Sequence, residues 1–368
     1  DWRDTSGETR ELYSFQNGAG TRRRIAGGET RTLGAFGETT WERDALTLTG
    51  GGRIDHWRIE DGSLDERVLA TNAVLTDTTY PDRSGWKPTG RAGIAYAFTP
   101  AVTARGAAYL GWRLPTLNEL YRPFRVGADA TAANAGLAPE RLRGIEAGID
   151  YRPRADLRLG ATIFANRLEN GIANVTLARG PGQFPGVGFV SAAGEYRQRQ
   201  NLDAIVARGI ELDARLDLGR WSLSGGYSFT DAEVEASGPA LPLDGLRPAQ
   251  TPRHSASATL GWGDATGARA SFTTRYAGNQ NEDDLNQTLL PDALTFDATG
   301  RVAYLNEQLL ELSAREIGLL EILIQRAGRL VSKEQIVDHL CEWGEEVSHN
   351  AIEVYVHRLR KKIEVEPG

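Results

Sequence analysis

Few residues in this chain of 368 have types and spacings suited to chemistry. The five histidines are His56, His254, His339, His349 and His357. None has the His-x-x-x-His spacing, with a carboxylate nearby, that holds a zinc ion on one helix face. The run Glu282-Asp283-Asp284, flanked by Asn281 and Asn286, offers oxygen atoms of the kind calcium takes. An acidic loop tip that is simply solvated is the plainer reading. No Gly-x-Ser-x-Gly elbow, Walker motif or dinucleotide fingerprint is present. The expectation is therefore a non-enzyme with no cofactor and no metal. The sole cysteine, Cys341, excludes an internal disulfide and reads as a small core residue rather than a reactive thiol. That leaves one concentrated feature, the cations Arg358, Arg360, Lys361 and Lys362. They suit either a solvated basic helix end that complements the helix dipole or a local face for nucleic acid.

The elements that must position this cluster are helical. After Leu305 the apolar residues recur with a period of about 3.6. Ser313-Ala-Arg-Glu316 forms a capping box for a helix reaching to about Arg326, with Ile317, Leu319, Leu320, Leu323 and Ile324 as its apolar stripe. Gly328 closes it. A second helix starts at Ser332, with Gln335 completing its box, and carries Ile336, Val337 and Leu340. A third, from Ser348 to about Lys362, buries Ile352, Val356, Leu359 and Ile363. Helices two and three, joined by a short turn, have the order of a helix-turn-helix.

Upstream the period is two. Ile210, Leu212, Ala214, Leu216 and Leu218 face away from Glu211, Asp213, Arg215 and Asp217. Trp221, Leu223, Tyr227 and Phe229 oppose Ser222, Ser224, Ser228 and Thr230. Ile94, Tyr96, Phe98 and Ala256, Ala258, Leu260, Trp262 repeat the pattern. Alternation of this kind predicts about a dozen strands between Glu11 and Ala303, each with one apolar face. Turns are expected at Arg152-Pro153-Arg154, Leu218-Gly219-Arg220 and Asp264–Gly267, and long loops at 60–86, 113–143, 176–195 and 231–253. Periodicity alone leaves open a soluble barrel or sandwich and a transmembrane barrel. Trp41, Trp57, Trp86, Trp112 and Trp262 are candidates for interface girdles in the second case. No run approaches the ~18 apolar residues of a spanning helix. The net charge of −7 argues against a nucleic-acid surface covering the whole chain. The chain begins at Asp1 and contains no Met, which suggests a fragment of a longer product.

Gly111 to Gly127, with Ala133-Asn134, Leu137-Ala-Pro-Glu-Arg141 and Gly144-Ile-Glu-Ala-Gly148, resembles the TonB-dependent outer-membrane receptors. So do Ala207–Asp213, Pro252-Arg-His254, Arg275-Tyr276 and Glu282–Asn286. The resemblance implies a transmembrane barrel in outer-membrane lipid, served by the TonB system, that takes up a scarce ligand such as a siderophore or cobalamin. Family members carry a signal peptide, a TonB box and a plug, and a plugged barrel has roughly 22 strands. None of those segments is readable in this sequence and only about half the strands are, so a partial barrel is expected over residues 1–298.

Leu312-Ser-Ala-Arg-Glu316, Gly328-Arg-Leu-Val-Ser332 and Val354-Tyr-Val-His-Arg-Leu-Arg-Lys361 resemble the OmpR/PhoB-type DNA-binding domain of response regulators. That resemblance assigns 299–368 to a winged helix, truncated before its wing, in a phosphorelay regulator. The third helix would enter the major groove. Asn350, Ala351, Tyr355, His357, Arg358, Arg360 and Lys361 fall at positions implied to meet DNA, with Ala351 replacing a hydroxyl residue common there. The Cys341–Val347 turn resembles the loop that touches RNA polymerase.

The expected fold is mostly β: a partial antiparallel transmembrane-type β-barrel followed by an α+β winged helix-turn-helix. The segment Leu294–Tyr304 suits both parts, as a barrel strand or as the domain's leading sheet. The two resemblances imply different compartments, outer membrane and cytoplasm, so a chimera that performs neither activity is a third expectation.

Overall fold

The computed structural model describes residues 1–263 and 269–300 continuously, and beyond them 303–305, 308–310, 316, 319–320, 322–323, 336, 355–356 and 358–362. The strands begin with β1 (Trp2–Gln16), β2 (Ala19–Arg43), β3 (Leu46–Val68), β4 (Val74–Thr79), β5 (Arg83–Thr99) and β6 (Val102–Arg113). A short helix α1 (Leu117–Tyr121) precedes β7 (Phe124–Val126), β8 (Asp129–Ala132), β9 (Glu140–Arg154) and β10 (Leu157–Glu169). Then come β11 (Ile172–Arg179), β12 (Gly182–Phe184), β13 (Gly188–Val190), β14 (Glu195–Asn201), β15 (Ala204–Leu218) and β16 (Trp221–Glu235). A 3-10 turn at Gly238–Leu243 leads to β17 (His254–Gly263), β18 (Arg269–Ala277), β19 (Gln280–Asn281), β20 (Leu289–Leu290) and β21 (Ala293–Gly300).

Thirteen strands form one sheet in the order β1-β2-β3-β5-β6-β9-β10-β15-β16-β17-β18-β21, with β4 paired to β3. Two compact units divide the chain. One holds Asp1–Ala214, Gly226–Ser257 and Tyr276–Leu294; the other holds Arg215–Gly225, Ala258–Arg275 and Thr295–Gly368.

From β2 onward the strand connections of the first unit alternate in kind. Residues 44–45, 100–101 and 155–156 are tight turns, whereas 114–139 and 170–203 are long. Successive connections in an antiparallel sheet fall at opposite ends. One rim of the sheet is therefore trimmed short and the other carries elaborated loops, the asymmetry of a transmembrane β-barrel.

The register confirms two faces. Ile94 pairs with Gly106, Gly106 with Ala147, and Ala147 with Ile163, one row of a continuous apolar surface. Ile94, Ile145, Ile149 and Ile163 are all more than half or about half exposed. Exposure of so many branched aliphatics on neighbouring strands exceeds what scattered surface hydrophobics explain. The alternate positions are charged: Arg105 lies 3.5 Å from Glu146 and 3.4 Å from Asp150. A sheet with an apolar exposed face and a charged inner face suits lipid outside and water inside. No helix among the described residues is long and apolar enough to cross a membrane, which says nothing about crossing by strands.

Three expectations need correction. The turn expected at Arg152-Pro153-Arg154 lies later, because β9 runs through Arg154 and the chain turns at 155–156. The region 60–86 is not one long loop. β3 continues to Val68, pairing with β2 (Arg22 opposite Val68) and with β4 and β5. Its residues Glu60, Asp61, Ser63, Asp65, Glu66 and Arg67 are polar on both faces, so ladder hydrogen bonds hold the strand where apolar alternation is absent. Trp41, Trp86 and Trp262 are exposed as a girdle requires, but Trp57 is buried and Trp112 donates Nε1–H to Asp55 Oδ2 at 3.0 Å. The turn expected at Asp264–Gly267 falls largely outside the described residues.

Candidate functional site

The segment between β6 and β9 is anchored by its own local chemistry first. Thr116 and Glu119 close a capping box: Thr116 Oγ1 accepts from the Glu119 N–H at 3.2 Å, and Glu119 Oε2 accepts from the Thr116 N–H at 2.6 Å. This satisfies donors that a five-residue helix would otherwise leave open. Burial pushes the Glu119 carboxyl up, but Arg113 and the Thr116 N–H outweigh it and hold the group below its ordinary value. Arg113 reaches both Glu119, at 3.1 Å, and Glu140.

With its backbone capped, α1 presents Leu120 and Tyr121 to Trp57, Ile59 and Leu137, all buried. The Tyr121 ring stacks on Tyr80, with centroids 4.9 Å apart. It also lies flat against Gly62, where a Cβ would meet the ring itself. Glycine is required there by close approach. Beneath the following turn Arg24 is buried in the wall of the hairpin. Its Nε donates to Glu66 at 2.7 Å, and its Nη1 donates to Glu11 at 2.8 Å and to the Pro123 carbonyl at 2.9 Å. Arg122 holds the other oxygen of Glu11 at 2.6 Å. Thus one arginine ties the long-loop segment to three strands.

The rest of this rim is a second layer. β11, β14, β8 and β7 make a four-stranded sheet in which β14 and β8 run parallel. Asn201 bridges to Ala138 and Asn170, and Asn134 donates to the Arg199 carbonyl at 2.9 Å. The acidic run considered for calcium has a different role. Asp284 accepts from the Thr176 N–H and hydroxyl at 2.7 and 2.8 Å. Asp283 accepts from the Gln287 and Thr288 N–H groups. Asn286 exchanges bonds with the Arg247 backbone at 3.0 and 2.9 Å. Burial raises the Asp283 carboxyl, and those backbone donors more than offset it, leaving it below its ordinary value. Asp283, Asp284 and Asn286 therefore fasten loops together. Among the described residues no group of three or more His, Cys, Asp or Glu could hold a metal ion.

Below α1, on the charged inner face, lies a cavity of about 670 Å³. Its polar lining includes Thr30, Thr32, Arg53, Asp55 and Arg113, with Trp112 beside them. Arg53 Nη2 lies 2.6 Å from Asp55 Oδ1. A space that mixes a guanidinium, hydroxyls and an indole can hold a polar ligand with a flat or apolar portion. These residues carry no motif. β2 supplies the threonines, β3 the Arg53–Asp55 pair and β6 Trp112 and Arg113, so only the tertiary arrangement brings them together and sequence reasoning passed over the set.

Of the residues assigned to DNA, the helical segment 358–362 presents Arg358, Arg360 and Lys361 exposed, and Tyr355 is half-buried. Asn350, Ala351 and His357 lie outside the described residues, as does the Cys341–Val347 turn. Leu359, Ile336 and Leu319 are buried as the apolar stripes require, and Ile322 is buried in addition. Leu323, placed on a stripe, is exposed instead. Lys362 belongs to the basic cluster in sequence, yet its Nζ lies 2.9 Å from Glu316, itself buried.

Residues 1–315 match the family model for the TonB dependent receptor-like β-barrel, and residues 306–368 match the model for the C-terminal part of transcriptional regulatory proteins. The chain is 43% identical over 67 residues to the transcriptional regulatory protein QseB of Escherichia coli O157:H7, covering 18% of this chain and 31% of that protein. It is 37% identical over 75 residues to the response regulator PmrA of Pseudomonas aeruginosa, covering 20% of this chain and 34% of that protein. Among solved structures, the ferric yersiniabactin uptake receptor FyuA of Yersinia pestis is similar with a TM-score of 0.58 and 17% identity. That likeness covers 81% of this chain and 42% of the receptor. The ferric-catecholate import receptor Fiu of K12 E. coli gives 0.53 and 17%, covering 76% and 38%. At such identities these structures establish the fold alone. The chain spans about a third of the length of the curated regulators and about two fifths of the solved receptors.

Proposed function

The chain belongs to the TonB-dependent receptor-like β-barrel family, and from that premise we propose that residues 1–298 form an outer-membrane receptor wall for a scarce ligand of the siderophore or cobalamin class. The observation that carries this is the pairing of an exposed apolar face with a charged inner face that holds a cavity beneath a braced long-loop rim. The receptor-barrel fold implies the outer membrane, and the TonB system is the proposed energy source. Two receptors of similar fold support the ligand class: one takes up ferric yersiniabactin and the other imports ferric catecholates. Trp112 borders the cavity, so ligand entry should quench tryptophan fluorescence. Titrating the full chain in detergent with a ferric catecholate, a ferric hydroxamate and cobalamin should give saturable quenching by one of the three. Arg53→Ala should weaken it about ten-fold, as removal of one charge-assisted hydrogen bond costs ~1.5 kcal/mol. Linear, non-saturating quenching by all three would remove the cavity as the ligand site.

For residues 299–368 we propose DNA binding in the manner of a phosphorelay response regulator, with a contact to RNA polymerase through the Cys341–Val347 turn. Support comes from the match at 306–368 and the exposed cations of segment 358–362. Arg358 and Arg360 are assigned most of the affinity through phosphate and guanine contacts, Lys361 an added phosphate contact, and Asn350, Ala351, Tyr355 and His357 the reading face. Removing one cation that meets a phosphate should flatten the salt dependence by about one unit of slope. Fluorescence anisotropy of the full chain on duplex DNA across a salt series is the measurement. Arg358→Ala and Arg360→Ala together should lower both affinity and slope; unchanged values would withdraw the assignment. The two parts imply different compartments, so each activity is proposed for its own part.

A further inference from the structure

The exposed face of the sheet changes character at one level. On β9 the outward positions Ile149, Ala147 and Ile145 are followed by Arg143 and Arg141. On β10 the outward Ile163 and Ala165 are followed by Arg167 and Glu169, and on β15 the outward Ile210 is succeeded by Arg208. The register places Arg143 directly opposite Arg167. The neighbouring glycines fix the sense: a Cβ on Gly209 would strike Phe164, so 209 and 164 face inward, and 208 and 165 face out. The arginine tier sits on the long-loop side of the apolar face.

Four guanidiniums meet two carboxylates in this tier. Arg167 binds Glu235 through both nitrogens, at 2.7 and 2.6 Å, and Arg143 lies 3.1 Å from Glu169. Arg208 is exposed and has no hydrogen bond or ion pair among the described residues. Two positive charges are left over. Between these arginines and the apolar face runs an open groove of about 1040 Å³. Its floor is Ala92, Ala108, Leu110, Ile145 and Ala165. The small residues lower the surface between larger neighbours, and Leu110 and Ile145 in the lining belong to the apolar face.

We propose that this groove binds a lipid of the surrounding membrane that carries a phosphorylated headgroup and an acyl chain. The fork geometry of Arg143 and Arg208 suits phosphate oxygens. The alanine-lined floor takes a hydrocarbon chain, which a free phosphate ion could not use. Binding rests on the reading of this face as lipid-facing, and the site lies on the opposite side of the sheet from the inner cavity. The lipid serves as a collar that neutralises the tier where the wall leaves the hydrocarbon.

The full chain is floated into vesicles of phosphatidylcholine with a minor share of phosphatidylglycerol, then taken through detergent exchange, and the retained lipid is quantified. Phosphatidylglycerol should be enriched over phosphatidylcholine. Arg208→Gln, which breaks no hydrogen bond or ion pair among the described residues, should reduce that enrichment about five-fold. Adding Arg143→Gln should reduce it by about as much again, since a basic residue near an anionic surface is worth ~1 kcal/mol. Arg105→Gln, on the inner face and outside the groove lining, should leave it unchanged. Equal retention of both lipids, or displacement of phosphatidylglycerol by excess inorganic phosphate, overturns the proposal while leaving the barrel reading in place. Failure of the chain to float in either vesicle overturns both.

Discussion

Arg24→Ala should be the most damaging single substitution on the long-loop side, destabilising it by about 3–5 kcal/mol, the range for breaking a buried ion pair from one side. The Arg24 side chain is 8% exposed and that of Glu66 is 10%. Loss of the guanidinium leaves Glu66 with the Thr76 hydroxyl, at 2.8 Å, and the neighbouring Tyr13 hydroxyl, neither a cation, to offset burial of its charge. Glu11 retains Arg122, so the penalty falls mainly on Glu66. The Pro123 carbonyl also loses its donor, which releases the turn behind α1. Two readouts separate the parts of this effect: the urea midpoint of the reconstituted chain, and protease cleavage within residues 114–139. Glu66→Gln in the Arg24→Ala background should recover much of the loss, because a neutral amide is cheaper to bury than an unpaired carboxylate. An unchanged midpoint for Arg24→Ala would show that the network does not hold this rim.

Ile149→Arg should be the most damaging change on the apolar face. Ile149 is 54% exposed and sits between Ala104 and Ala161 on the adjoining strands. Near the middle of a bilayer an outward arginine costs roughly 2–4 kcal/mol, whereas in water the same change on an exposed strand costs within about 0.5 kcal/mol. The sign and size therefore report the solvent. Ile149→Leu should be silent, and Leu260→Arg should repeat the loss on β17. Urea titration in vesicles against titration in detergent-free buffer gives the comparison. Full stability of Ile149→Arg in vesicles, or a soluble monomer without detergent, would rule out lipid at this face.

The period of two in residues such as Ile210 to Leu218 determined strands, and the period near 3.6 pointed to helices that the described residues 316, 319–320, 322–323, 336, 355–356 and 358–362 adopt, although Gln308–Leu310 is a strand, because side-chain direction follows backbone geometry locally. The Thr116–Glu119 box needs only neighbours in sequence, yet it sits inside 113–143, expected as one long loop, and emerged only with the structure. The motif segments around Gly111 to Gly127 and Val354 to Lys361 carried both families. What only the tertiary structure decided involves partners far apart in the chain. Arg24, Glu66 and Pro123 meet because β2 and β3 pair well beyond their apolar portions, where the polar sequence had suggested a loop. Trp57 and Trp112 have the composition of girdle residues, but the strand register turns Trp57 inward and the Asp55 carboxylate draws Trp112 to it. Asp283 and Asp284 look like calcium ligands in sequence, and become loop fasteners because Thr176 and the 287–288 backbone reach them first. Lys362 is one of four cations in sequence and half of an ion pair in space, since Glu316 is buried within its reach. Charge and aromaticity name what a residue can bind, but strand register and burial decide which of those partners it meets.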